Sequence, residues 1–255
     1  ASLSVWQVAQ GIRTQRKLHW IIGGTAAGVL LYTYISARLA PLPVFLFLVY
    51  MLTIKKMHID RRILQSGILF LFVAAVVMAP LVTYTLLHWD EVFLRVENVE
   101  SIFNMGEPAK LLFKNFLGAL GMFFIRGDFQ YRHNVPLRPV FDPLMAIMFC
   151  IGLWLTIRDF KKKPAAAFLL IWIPCLLIPT ILTKDSPHFI RSIGILPFVA
   201  ILPALGLEWT WDLITRKAQE SLAILVIIGV LCISLGSTIH AYFIRFPSYP
   251  ETCYW

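Results

Sequence analysis

The chain is built from long apolar runs, and the Lys/Arg clusters between them fall on alternate sides. The interior of a bilayer supplies no hydrogen-bond partners, so a segment crossing it must satisfy its own backbone, which a single apolar run does by forming a helix. At roughly 20 residues per crossing, the expectation is an all-α, polytopic integral membrane protein with about seven transmembrane helices and an outer-face interfacial segment. Composition agrees: 58% of residues are hydrophobic and 15% charged, against about 45–50% apolar and about 25% charged in a soluble domain.

Residues 1–17 mix Leu3, Val5, Trp6, Val8 and Ile12 with Gln7, Gln10, Arg13, Arg16 and Lys17. That pattern predicts an amphipathic helix at the membrane surface. The transmembrane domain is expected over 18–240, with spans near 18–36, 40–54, 63–87, 140–157, 165–182, 193–211 and 220–240. Gly23, Gly24 and Gly28 would let the first span pack closely on a neighbour. Outer loops are expected at 88–138 and 183–192, and an outer tail at 241–255; the weakly apolar patch 111–125 should lie along the interface.

Seven crossings place Arg13, Arg16, Lys17, the 55–62 cluster, the 158–163 cluster and Arg216/Lys217 on one side. The positive-inside rule makes that side cytoplasmic. The chain is therefore expected to be multi-pass in the plasma (inner) membrane with its C-terminus outside. Asp90, Glu91, Glu97, Glu100, Glu107, Asp128, Asp142 and Asp185 then share the outer face, a mixed-charge working surface.

The net charge of +9 is explained by helix orientation and anionic headgroups, so membrane lipids are expected partners and nucleic acid is not. The four cysteines have no CxxC or Cys/His spacing, so no metal, cofactor or disulfide framework is expected. The start at Ala1 lacks a signal-peptide pattern; it and the abrupt aromatic stop suggest a trimmed or processed chain. The halves do not repeat, and no charge sits at the middle of an apolar run. Both observations argue against a transporter.

Two outer loops carry candidate chemistry. In Lys184-Asp185-Ser186-Pro187-His188-Phe189-Ile190-Arg191, Lys184, His188 and Arg191 can converge at headgroup level. A guanidinium with a second cation grips phosphate through parallel charge-assisted hydrogen bonds. The competing reading is interfacial anchoring, since Lys and Arg snorkel there. In 126–139, Arg132, His133 and Arg138 crowd a Pro-bounded loop with Tyr131 available as a stacking face. Such a loop suits a sugar or phosphate, or serves as a solvated connector. Asp90 and Glu91 are adjacent and do not face one another on a helix, so capping is a simpler role for them than acid/base catalysis. His19, His58 and His240 stand isolated and read as interfacial residues.

Tyr32-Thr33-Tyr34 with Arg38 and Pro41 resembles a recurrent segment of family 39 glycosyltransferases, the GT-C-type group that holds protein O-mannosyltransferases and aminoarabinose transferases. The run Gly127-Asp128 to Arg132-His133-Asn134-Val135-Pro136, Pro139 and Asp142-Pro143 is similar to a loop of bacterial members. Ser186-Pro187-His188-Phe189-Ile190-Arg191, with Leu196-Pro197 beyond it, is similar to their late Arg-bearing outer loop. The resemblance covers roughly 18–245, the membrane portion of the family pattern. It implies inverting transfer of a sugar from a polyprenyl-phosphate donor at the outer face. It carries Arg191 and His188 over as donor-phosphate residues, and Arg132 and His133 more weakly. In the family an outer Asp or Glu between the first two helices acts as base. Here the turn after the first span offers Arg38 and no acid. The catalytic residue is therefore unassigned, and the chain is expected to keep part of the donor site without the base. The alternative is a non-catalytic structural subunit of a larger membrane complex, partnered by other membrane subunits.

Overall fold

A computed structural model describes residues 2–33, 35–56, 60–90, 107–217 and 219–250. The expectations for Tyr34, His58, Glu91, Glu97, Glu100 and the 251–255 end of the tail lie outside these residues. The described chain is helical, with no strand element among the described residues. It divides into two compact units, Ala1–Glu100 and Ser101–Trp255.

The first unit holds α1 (Ser2–Thr14), α2 (Lys17–Leu30), α3 (Pro41–Thr53) and α4 (Arg61–Leu87). Gln15 turns the chain between α1 and α2 with a positive φ of 55°. A helix forms in the first seventeen residues, as α1, and pairs with α2: Ser4 Oγ donates to the Gly23 carbonyl at 2.9 Å, and His19 Nδ1 lies 2.6 Å from Gln7 Oε1. On the other side α2 meets α4. A Cβ at Gly24 would press on the Phe70 carbonyl, and one at Gly28 on Val77. The small-residue stripe thus lets two backbones approach, as membrane helix pairs commonly do. Tyr32 Oη donates to the Val77 carbonyl at 2.8 Å and accepts from Leu81 N at 3.3 Å. It serves backbone groups beside Pro80, where the helix lacks an amide donor.

The second unit holds α5 (Pro108–Gly121), α6 (Pro143–Asp159), α7 (Pro164–Ile181), a 3-10 turn (Ile190–Ile195), α8 (Leu196–Val199), α9 (Ile201–Lys217) and α10 (Glu220–Ile239). Asp142 caps α6, accepting from Leu144 N and Met145 N, with Pro143 in the first turn. A proline at that point loses no helical hydrogen bond and arrives with a suitable φ. The other Asp142 oxygen accepts from Ser234 Oγ of α10. Helices α6 and α9 cross at a glycine from each side. A Cβ on Gly152 would collide with the Leu202 carbonyl, and one on Gly206 with the Met148 carbonyl. Trp172 is buried against Phe168 and Phe198, and its indole N–H donates to the Gly194 carbonyl at 3.2 Å.

Among the described residues, five helical stretches are long and apolar enough to cross a membrane: Ser36–Thr53, Arg61–Leu87, Pro164–Ile181, Ile190–Arg216 and Glu220–Ser248. Helix α4 makes the membrane assignment concrete. It runs 27 residues with none buried, while Leu64, Leu71, Phe72 and Val76 are all exposed. Water would penalise so large an apolar surface, whereas lipid does not. By length and composition, these helices are those of a membrane protein. Two expected spans differ from this set. The 18–36 run stops as an α-helix at Leu30 and resumes as a 3-10 turn at Ile35–Leu39, before Pro41 opens α3. The 140–157 run becomes the 17-residue α6, held to that length by its Asp142 cap and the turn after Asp159. Residues 111–125, expected at the interface, lie largely in α5, which packs against α7 through Asn115.

Candidate functional site

The site is built where the 122–141 loop meets the 183–192 loop within the second unit. The first loop folds back on itself after α5. Val140 N and Phe141 N donate to the carbonyls of Met122 and Phe123, and Gly127 N and Leu137 N pair with Leu137 O and Asp128 O. Gly127 has no room for a side chain, since a Cβ would strike the Arg138 carbonyl and the Phe189 ring. The second loop is pinned from below. Asn115 Nδ2 donates to the carbonyls of Ile181 (3.0 Å) and Thr183 (2.8 Å), and Thr180 Oγ1 accepts from His188 N at 2.8 Å.

Asp128 joins the two loops. Its carboxylate is fully buried and accepts from Gln130 N, from His133 Nδ1 and from Phe189 N, each at 2.9 Å. A buried carboxylate without such donors would be strongly disfavoured. These three bonds therefore explain both why it is tolerated and why the loops dock. The docking sets the rings of His133 and His188 at 4.6 Å between centroids. Burial first, then the neighbouring Arg191 guanidinium, hold His188 down to about 4, so it is neutral at physiological pH. His188 Nδ1 and Arg191 Nη1 are buried and have no hydrogen-bond partner among the described residues. Buried polar atoms are paired in the large majority of cases, so two orphans on neighbouring side chains mark a place built for something else.

A cavity of about 380 Å³ opens beside these groups. Its wall is mostly apolar, with Met122, Phe123, Ile193, Leu196 and Val199 among its lining residues. Its polar contributions come from His133, Asn134, Arg138, Ser192 and Tyr242. Arg138 donates to Thr238 Oγ1 at 2.9 Å and lies 5.1 Å over the Tyr242 ring. Asn134 accepts from Tyr242 Oη at 2.9 Å and donates to the Arg138 carbonyl at 2.7 Å.

Of the residues expected to bind phosphate, His133, His188 and Arg191 are brought together, and Arg138 lines the adjoining cavity along with His133; His188 and Arg191 do not line it. Lys184 and Arg132 are exposed and do not line the cavity. Tyr131 packs edge-on against Tyr249, with ring centroids 5.4 Å apart. Sequence reasoning passed over Asp128 as the joint of the site, and Asn134, Thr238 and Tyr242 as its lining and supports. Asp128 had a local signal: an acid five residues before a histidine, within a loop bounded by Gly127 and Pro136. Thr238 and Tyr242 had none, lying about 100 residues from their partners Arg138 and Asn134.

Comparison with family models, with curated proteins and with solved structures returns no match for this chain.

Proposed function

We propose that the chain is a GT-C-like membrane protein of about seven spans that holds a polyprenyl-phosphate sugar donor at the outer face, with α2 and α6 as the two short crossings. The carrying observation is the amphipathic cavity at the docked loops. The cavity wall is mostly apolar, His133 and Arg138 line it, and Arg191, with its unpartnered guanidinium nitrogen, stands beside His188 at the same docked loops. A lipid phosphate needs both halves: apolar surface for its chain and a forked cation for its head. Arg138 and Arg191 are the phosphate-holding groups in this reading, while Asp128 positions the loops that present them.

The turn between α2 and α3 carries Arg38 and no carboxylate, so the sugar-transfer base is not assigned to this chain. Two measurements on the purified chain test the reading. The first is binding of a fluorescent polyprenyl phosphate, with Arg191→Ala and Arg138→Ala each expected to weaken it about tenfold or more, the loss of one charge-assisted hydrogen bond. Equal affinity of wild type and both variants would refute the donor site. The second is a transferase assay with a labelled polyprenyl-phosphate sugar, in which the chain alone is expected to be inactive. Robust turnover would refute the missing base. If Arg191→Ala leaves lipid binding untouched but breaks assembly with other membrane subunits, the protein is a structural subunit instead.

A further inference from the structure

We propose that Asp128, His133 and His188 form a binding site for one divalent transition-metal ion of the zinc class. The inference does not rest on the donor-lipid reading; it stands on the side-chain cluster itself. One ring nitrogen from each histidine and one carboxylate oxygen of Asp128 all lie within 4.8 Å of one another. Two imidazoles and a carboxylate are a donor set that suits zinc, with Zn–N and Zn–O bonds of about 2.0–2.2 Å. Tetrahedral ligand atoms then sit about 3.3 Å apart, so the cluster needs only a modest contraction to close on an ion.

Four features favour an ion over a packed polar cluster. The first is burial: His188 is 7% exposed, and the side chains of His133 and Asp128 are 4% and 0% exposed. Second, His188 Nδ1 has no hydrogen-bond partner. It therefore has nothing to give up on coordination, and a buried imidazole nitrogen gains a partner it otherwise lacks. Third, the hydrogen bond from His133 Nδ1 to Asp128 fixes the orientation of that ring beside the carboxylate. Fourth, His133 lines the cavity, which provides a route for the ion.

The charge balance points to what completes the coordination. Asp128 is a single carboxylate, and Arg191 already stands beside His188. A divalent ion leaves the pocket with excess positive charge, and three protein ligands leave a tetrahedral ion one open position. An anionic oxygen fits both requirements.

The test uses the full chain in detergent, stripped with a chelator and titrated with cobalt(II), whose visible absorption reports coordination geometry. One cobalt per chain is expected, with the intense bands of a four-coordinate N/O site, displaced stoichiometrically by zinc. His133→Ala and His188→Ala should each lower affinity at least tenfold, while His240→Ala, at an exposed histidine in the second unit, should leave it unchanged. Saturating zinc should also raise the melting temperature of wild type. That reading holds even if a variant fails to fold. The proposal is overturned if wild type leaves cobalt in its pale aqueous octahedral form and zinc does not shift its melting. It is equally overturned if His240→Ala abolishes binding and His188→Ala does not, or if wild type takes up only inorganic phosphate.

Discussion

Replacing Asp128 by Asn tests the docking of the two loops. The carboxylate receives three hydrogen bonds while fully buried: Gln130 N to one oxygen, His133 Nδ1 and Phe189 N to the other. An amide keeps its oxygen for two of them and turns its NH₂ toward the third donor. One charge-assisted bond, about 1.5–3 kcal/mol, is lost and one buried N–H is left unsatisfied, about 1–3 kcal/mol more. Asp128→Asn is therefore expected to destabilise the chain by about 3–5 kcal/mol. The measurement is an unfolding titration with SDS in mixed micelles, with chelator present so that no metal contributes. Asp185→Asn, a partly exposed acid in the same late loop, serves as control and should change stability by less than about 0.5 kcal/mol. If Asp128→Asn falls within that margin too, the carboxylate does not hold the loops together and the argument for the site fails.

Other predictions follow from packing and charge. Gly152→Ala should destabilise by about 1–3 kcal/mol because its methyl meets the Leu202 carbonyl, whereas Gly67→Ala in α4, with open space around it, should be neutral or stabilising by up to about 1 kcal/mol; the same SDS titration compares them. Trp172→Ala removes a buried aromatic and its bond to Gly194, and a loss of about 3–5 kcal/mol is expected in that titration. Asp159 is held at about 2, below its ordinary 3.8, first by its hydrogen bond from Arg158 and then by that from Lys163. Its folded value is depressed, so its stabilising contribution is complete above about pH 4 and is lost as pH falls toward about 2. Melting curves across that window should show the loss in wild type and its removal in Asp159→Asn.

The membrane class was readable because lipid leaves a helix one way to cross, and the runs are long enough to show it. Span limits were less readable. Nothing in the 18–36 run distinguishes a helix ending at Leu30 from one reaching Ser36; the break belongs to the turn that carries the chain to Pro41. The glycine stripe at Gly24 and Gly28 announced a close neighbour, but helical spacing gives a face and not the partner, and α4 emerged only from the fold. The His133–His188 pairing was half legible: each loop looked charged and Pro-bounded. Their junction runs through a main-chain amide, Phe189 N, 61 residues from Asp128. Every residue but proline carries that amide, so no sequence pattern reports its use.

The glycine-to-carbonyl crossing of α6 and α9 has a mechanical consequence. Slide either helix by one residue and a side chain replaces hydrogen at the contact, driving a carbon into the opposing carbonyl oxygen. The crossing therefore behaves as a toothed clasp rather than a greased seam, and the two helices are indexed to each other in height. The 122–141 loop is anchored at the start of one, through Asp142, and the 183–192 loop leads by way of the 3-10 turn and α8 into the other. The clasp thus sets the level at which the two histidines face one another.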